Sequence, residues 1–156
     1  MLRPSLAAFF AGILVAAAPA AAADPPVSGK FIGNGKEAKL EFVTAQKGQP
    51  YLDKPTTKLI FTEKDHSKDK RPDIAAGFGD YGSALIITVK EDGKIIGCVI
   101  AHSAHEKKGI NSVGSIAMSD YKVADGKVTG KIKTNGMVNT FGEKWQVDIQ
   151  FEAKAP

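Results

Sequence analysis

Cysteine is almost absent from this chain: Cys98 is the only one among 156 residues. A single cysteine excludes an intramolecular disulfide. Its neighbours Ile96, Val99 and Ile100 are apolar, and free cysteines are among the residues most often found inside proteins. We expect Cys98 to be a buried, inert thiol; a reactive or metal-ligating cysteine is the alternative.

Long apolar runs are absent after the first 23 residues. Before that point, a positive start at Arg3 precedes an uncharged run from Leu6 to Ala18, and small residues follow as far as Ala23. This order is typical of a cleaved secretory signal peptide, and the run is shorter than the ~20 residues of a membrane-spanning helix. We predict a leader at residues 1–23, a single domain at residues 24–156 and no transmembrane segment. The alanine-rich leader favours a bacterial protein that is periplasmic or secreted.

Charge of one sign does not cluster anywhere in the sequence. The chain has 21 Lys and Arg against 17 Asp and Glu, a formal net charge of +4, and the two signs are interspersed. A nucleic-acid-binding protein is expected to gather its Lys and Arg on one element, with aromatic residues between them. We therefore expect a solvated surface and no nucleic-acid partner.

A helical period of 3.6 residues is also lacking, because the apolar residues recur at every second position. The clearest case is the stretch in which Trp145, Val147, Ile149 and Phe151 alternate with polar residues. Such alternation is typical of a strand with one buried face and one solvated face. Short Asn-Gly and Asp-Gly pairs punctuate the chain where hairpins need tight turns; these pairs are Asn34-Gly35, Asp92-Gly93 and Asp125-Gly126.

Eight strands are predicted from this alternation. They cover residues 27–33, 36–44, 57–63, 83–90, 94–102, 113–121, 127–134 and 144–152. The fold class predicted is all-β, a single antiparallel eight-stranded β-sandwich, with a flattened, lipocalin-like barrel as the alternative. The hairpin formed by residues 83–102 is apolar on both faces, so we expect it at the centre of the core.

The segment between residues 64 and 82 is the longest predicted loop. Loops longer than ~12–15 residues are uncommon in compact domains unless they are functional or disordered. This one carries Phe78 and Tyr81 among glycines. The two rings suit a lid or a platform for a ligand, or they anchor the loop to the sandwich.

Strict antiparallel order brings distant residues to one end of the domain. The loops that follow the first, third, fifth and seventh predicted strands all emerge there, and all three histidines of the chain lie at or beside them. The predicted ligand-binding residues are His66, Phe78, Tyr81, His102, His105 and Phe141.

Clustered histidines make a metal site the sharpest chemical hypothesis, since imidazole nitrogen is a common ligand of zinc and copper. His66, His102 and His105 are the candidate ligands, assisted by Glu106 or Asp65. His-x-x-His alone is a weak motif, so ordinary turn histidines are the competing interpretation.

Enzymatic interpretations have less support in the sequence. Ser103 or Ser67 could be combined with His102 or His66 in a hydrolase, but no G-x-S-x-G motif presents a nucleophile. The function predicted is a non-enzymatic binding module for an unknown small ligand or protein. A zinc- or copper-binding protein is the first alternative and a small hydrolase is the second.

Overall fold

A computed structural model describes residues 24–156, so the predicted leader at residues 1–23 lies outside the described part of the chain. The described part contains eleven strands and one helix. The elements are β1 (Val27–Gly33), β2 (Lys36–Ala38), β3 (Phe42–Lys47), β4 (Thr56–Thr62), α1 (Pro72–Phe78), β5 (Ala84–Lys90), β6 (Ile95–Ala101), β7 (Ile110–Asn111), β8 (Ile116–Ala124), β9 (Lys127–Thr134), β10 (Val138–Thr140) and β11 (Glu143–Lys154).

The strands form two antiparallel sheets that pack face to face. The first sheet has the order β2-β1-β11-β9-β8, with β10 paired to β11, and the second has the order β3-β4-β5-β6-β7. The sheets do not close into a barrel. The predicted β-sandwich is therefore confirmed, and the barrel alternative is not what forms.

The main core lies between the two sheets. The alternation in β11 has the expected result: Trp145, Val147, Ile149 and Phe151 are all buried. Phe151 meets Phe61 of the second sheet edge to face, with ring centroids 5.2 Å apart. Burying one large apolar side chain contributes about 1.5–3 kcal/mol, so these alternating residues hold the sheets together.

Helix α1 covers the outer face of the second sheet. Ala76 of the helix packs with Ile60, Ala84 and Ile86 in a second buried cluster. The helix begins at Pro72, a residue favoured in the first turn, and it ends at Phe78, where Gly79 with a φ of 86° caps it. The expectation of a structureless loop over residues 64–82 was wrong in this part, because seven residues are too few to show a helical period.

The predicted strand over residues 36–44 is divided between the sheets. β2 pairs with β1 in the first sheet, whereas β3 pairs with β4 in the second. Leu40 is buried in the connection between them, so the apolar alternation continues through the crossing and resembles one strand. This division, together with the short strands β7 and β10, raises the number of strands from the eight predicted to eleven in the described residues.

Cys98 lies on the inner face of β6 and is fully buried. Burial disfavours the thiolate and raises the pKa of Cys98 to about 12. The prediction of a buried cysteine is confirmed. The helix of the described residues is too short to cross a membrane.

Candidate functional site

Three segments that are far apart in sequence meet at one end of the sandwich. They are the β1–β2 turn at Asn34, the loop over residues 102–109 and the start of β11 at Glu143. The amide nitrogen of Asn34 donates to Glu143 Oε2 over 2.6 Å and to the carbonyl of Ala104 over 3.2 Å. Its amide oxygen accepts from the backbone N–H of Lys144 over 2.9 Å. We call Asn34, Ala104, Glu143 and Lys144 the Asn34 clasp. The end of the sandwich at which they meet is called the loop end.

Glu143 holds the 102–109 loop from below. Its Oε1 accepts from the backbone N–H groups of Glu106 and Lys107, each over 2.9 Å. The N–H of Lys107 and the Asn34 amide both favour the carboxylate, and they lower the pKa of Glu143 below its usual value. Glu143 therefore stays charged at neutral pH, where its bonds to the loop are charge-assisted.

Lys108 holds the same loop from within. Its ammonium group donates to the carbonyls of His102 and His105, each over 2.6 Å. The carbonyl oxygens of the turn formed by residues 102–105 thus point towards the ammonium group of Lys108. The loop is fixed by a carboxylate at its N–H groups and by an ammonium at its C=O groups.

His102 is fully buried at the top of the core. Its ring meets the ring of Phe31 edge to face at 4.9 Å, and its Nδ1 accepts from the backbone N–H of Ala104 over 3.1 Å. Because Nδ1 accepts a hydrogen bond, the neutral ring carries its proton on Nε2. Burial, and then the neighbouring His105, lower the pKa of His102 to about 4, so the ring is neutral at pH 7.

His105 lies beside His102, with ring centroids 5.2 Å apart. Its Nε2 lies 3.0 Å from the carbonyl of Lys144, which can only accept, so Nε2 carries the proton. Two buried nitrogens make no hydrogen bond in the described residues: Nε2 of His102 and Nδ1 of His105. By the proton positions above, the first is a donor and the second an acceptor.

His66 has separate partners. Its Nδ1 lies 2.6 Å from the hydroxyl of Thr62, and its Nε2 lies 2.8 Å from the hydroxyl of Thr44. Thr62 donates its only hydroxyl hydrogen to the carbonyl of Lys64, so Nδ1 of His66 is the donor to Thr62 and Nε2 accepts from Thr44. Burial lowers the pKa of this histidine too. Both of its nitrogens are used inside the protein.

Tyr81 lies next to His66, with ring centroids 5.9 Å apart, and its hydroxyl donates to Asp69 over 2.9 Å. Tyr81 also packs against the cluster beneath α1. Its ring is half-buried. The sequence allowed two roles for this ring, a platform for a ligand and an anchor of the loop. The contacts of Tyr81 are those of an anchor that attaches the loop to the sandwich.

The histidines offer little to a metal ion in this arrangement. Within residues 24–156, no group of three or more His, Cys, Asp and Glu side chains is placed to hold one. A metal ligand must present a lone pair, and among the nitrogens of His66, His102 and His105 only Nδ1 of His105 has a lone pair that no hydrogen bond uses. Zinc or copper binding stays a prediction, with these proton positions against it.

A thermal melt with and without zinc or copper tests this point. A metal that binds only the folded state at ~100 times its dissociation constant adds about 2.7 kcal/mol of stability, which is a visible rise in Tm. We expect no rise, because His102 would have to give up the bond from Ala104 before its Nε2 could ligate. A rise that disappears in a variant with His102→Ala and His105→Ala would contradict this expectation.

No serine is paired with a histidine base in the described residues, and the hydroxyl that donates to Nε2 of His66 belongs to Thr44. In the described residues no serine hydroxyl and no carboxylate forms a hydrogen bond with an imidazole. Ser103 instead contacts Ser83, with the hydroxyl oxygens 3.3 Å apart. The arrangement that a Ser-His hydrolase needs is not formed by these residues.

Phe141 stands out at the loop end. It is 73% exposed and forms a two-residue turn with Gly142, with φ values of 53° and 90°. Turns with two positive φ values favour Asn-Gly or Asp-Gly, and this chain uses such pairs at Asn34 and Asp125. Neither burial nor backbone preference explains a phenylalanine at this position.

Phe78 is the second exposed ring, with 74% of its surface accessible. The end of α1 lies against the 102–109 loop, since a Cβ added to Gly79 would be 3.8 Å from the side chain of Lys108. From the same loop, the ammonium of Lys107 donates to the carbonyl of Phe141 over 2.6 Å. Lys108 thus lies beside Gly79, the residue after Phe78, and Lys107 bonds to Phe141; we call these two exposed phenylalanines and two exposed lysines the Phe-Lys surface.

Sequence reasoning named the loop end and its two phenylalanines but missed the clasp. Asn34 is separated from Ala104 by 70 positions and from Glu143 by 109, and no local pattern marks such a contact. It also missed Leu52, which is 78% exposed with a φ of 49° in the β3–β4 turn at the opposite end. The exposed, left-handed position of Leu52 could have been suspected from the sequence, because the tip of this hairpin contains neither Asn nor Gly.

Comparisons with models of protein families, with curated proteins and with solved structures found no match to this chain. Its function is therefore argued from the arrangement of its own residues.

Proposed function

We propose that this protein is an exported, non-enzymatic binding module that recognises its ligand through the Phe-Lys surface at the loop end. The observation that carries the proposal is Phe141, an exposed aromatic residue in the left-handed region of backbone space that lines a cleft together with Lys107 and Glu143. The leader predicted at residues 1–23 from the sequence supports export to the periplasm or beyond the cell.

The cost of Phe141 to the fold supports a role outside the fold. A left-handed conformation costs a non-glycine residue roughly 1–2 kcal/mol, and asparagine tolerates it better than phenylalanine does. Burial of the Phe141 ring offsets little of this conformational free energy, because most of the ring surface faces solvent. Strained residues that the fold does not need are concentrated at functional sites.

The surroundings of Phe141 suit recognition of a ligand. A cleft of about 370 Å³ lies beside it, lined in part by Asn34, Glu106, Lys107 and Glu143. Ligand sites combine apolar contact area with a few fixed polar groups. The Phe78 and Phe141 rings supply the apolar area, and the ammonium of Lys107, which makes one hydrogen bond within the described residues, supplies a positively charged donor. We propose a ligand that joins an apolar group to an anionic or polar one.

A second cleft, of about 450 Å³, is not assigned a function. It lies against the first sheet near Asp24, Asp120 and Lys131. Asp120 is paired with Lys131 over 2.9 Å, and no residue of this cleft is among the large apolar side chains exposed in the described chain. Asp120 and Lys131 in this cleft pair with each other, whereas the rings of Phe78 and Phe141 are exposed.

Photo-crosslinking in the cell that makes the protein tests the proposal even while the ligand is unidentified. A photoreactive benzoylphenylalanine is placed at position 141, where it retains the aromatic ring, and in a second protein at position 52. Both positions are exposed tips with positive φ, and they lie at opposite ends of the sandwich. We expect a discrete adduct at position 141, found by electrophoresis for a protein or by mass spectrometry for a small molecule.

The same cells provide the control. Unlabelled wild-type protein should compete for the adduct, and unlabelled Phe141→Asn protein should compete poorly. The proposal would be overturned by the absence of an adduct at position 141, or by an adduct at position 52 alone.

A further inference from the structure

The chain contains two Asn-Gly pairs that are chemically alike and structurally different. They are Asn34-Gly35 and Asn135-Gly136, and all four residues are exposed. In such a pair the backbone nitrogen of the glycine can attack Cγ of the asparagine side chain. A five-membered succinimide forms and ammonia leaves. Water then opens the ring to aspartate or isoaspartate, without oxidation or reduction.

The side chain of Asn34 is restrained, and that of Asn135 is not. In the clasp, both polar atoms of the Asn34 amide are engaged, by Glu143 and Ala104 at the nitrogen and by Lys144 at the oxygen. Ring closure must swing Cγ onto the nitrogen of Gly35 and release ammonia, so these three hydrogen bonds have to break first. In this region of the described chain the side-chain hydrogen bonds are made by Thr134 and Asn139, and the exposed side chain of Asn135 makes none that would have to break.

We propose that Asn34 is a deamidation site gated by the clasp: it is modified when the loop end opens, whereas Asn135 is modified in the closed protein. The proposal goes beyond ligand recognition and does not depend on it. It concerns a chemical change that needs only water, and its rate is set by how often the clasp opens.

Deamidation at Asn34 keeps the loop end open. The amide nitrogen of Asn34 donates to Glu143 Oε2 over 2.6 Å, and deamidation replaces this NH2 group, with its two donor hydrogens, by a negatively charged oxygen. Two carboxylates then face each other, and the carbonyl of Ala104 loses its donor. The clasp cannot re-form at neutral pH, so Glu143 loses a partner while it still has to hold the 102–109 loop.

Peptide mapping by mass spectrometry tests the gate within a single sample. The purified protein is incubated at mildly alkaline pH, and the conversion of Asn34 and Asn135 is followed together, once in buffer and once in urea. Asn135-Gly136 is the internal reference, since it shares the reacting dipeptide. In buffer we expect Asn34 to react at about one tenth of the rate of Asn135 or more slowly. This is the factor expected when hydrogen bonds to a charged group must open first. In urea the two rates should converge.

A variant of Glu143 tests the same gate by loosening it. Glu143→Gln removes the charge that Asn34 donates to, so the deamidation of Asn34 should accelerate about tenfold while that of Asn135 stays constant. Glu152→Gln is the matched control, because Glu152 lies exposed on the same strand and pairs with Lys127 away from the clasp. This control should leave both rates unchanged.

A charge-swapped variant tests the consequence of the modification. Asn34→Asp alone should expose the backbone amides of Glu106 and Lys107 to hydrogen exchange. Combined with Glu143→Gln, it should restore part of their protection, because the new amide can donate to the new carboxylate while the carbonyl of Ala104 still lacks its donor. The proposal would be overturned by equal rates at Asn34 and Asn135 in buffer, or by an Asn34 that stays slow in urea.

Discussion

Replacing Gly33 with alanine is expected to lower the free energy of unfolding by about 3 kcal/mol, at the upper end of the usual cost of overpacking a core. A Cβ added to Gly33 would lie 2.5 Å from Nδ1 and 2.7 Å from Cδ2 of His102. That ring is fully buried beside Phe31 and cannot retreat without breaking its bond from Ala104. Urea denaturation of the variant and the wild type measures the loss directly.

Two further variants make this prediction specific to the contact with His102. Gly77→Ala is the matched control, because a Cβ on Gly77 would meet only Ile86, at an ordinary distance of 3.8 Å. In helix α1 that change should instead stabilise the protein, by roughly 0.5–1 kcal/mol. His102→Ala should cost stability by itself but recover part of the loss when it is combined with Gly33→Ala. Wild-type stability in Gly33→Ala would show that the ring has free space and would contradict the described packing.

Lowering the pH from 7 to 4 is expected to remove about 3 kcal/mol of stability through His102 alone. The pKa of His102 is about 4 in the folded protein, against an ordinary value of 6.5. Because the folded pKa lies below the unfolded one, the unfolded chain binds the extra proton first. The stabilisation is therefore complete above pH 6.5 and is lost as the pH falls towards 4, at about 1.4 kcal/mol for each unit of pKa shift.

The variant that isolates this effect is His102→Asn. The introduced side-chain oxygen can accept the N–H of Ala104 as Nδ1 does, but the new group does not titrate in this range. Unfolding free energies are measured in urea at a series of pH values. The wild-type curve should fall more steeply than the variant curve between pH 6.5 and 4, while His66, which also has a lowered pKa, contributes equally to both. Parallel curves would contradict the buried, neutral state of His102.

The sandwich could be predicted from the sequence because its cause is local. Each side chain of β11 faces the core or the solvent according to its position in the strand, so Trp145 and Phe151 already reveal the buried face. Hairpins such as the one at Asp125-Gly126 are local in the same way. The division of residues 36–44 could not be seen, because Leu40 continues the alternation across the gap between the sheets.

The candidate site could be predicted only in part. Antiparallel order places Phe141 and the 102–109 loop at one end of the sandwich. This placement follows from counting the strands between them, because successive strands run in opposite directions. The partners of the side chains at that end depend on contacts between distant segments, such as Asn34 with Glu143. The burial of His102 depends on the missing side chain of Gly33, and neither residue reveals the other in sequence. The histidines therefore looked like surface ligands and lie instead inside the fold.

The most direct measurement is the unfolding free energy of Phe141→Asn. If Phe141 is present for recognition, the fold would be better served by asparagine at this position, as at Asn34. We therefore expect Phe141→Asn to be more stable than the wild type by about 1 kcal/mol, because the strain of a left-handed phenylalanine is relieved. A variant less stable than the wild type would show that the fold itself needs the ring, and it would contradict a role for Phe141 in recognition alone.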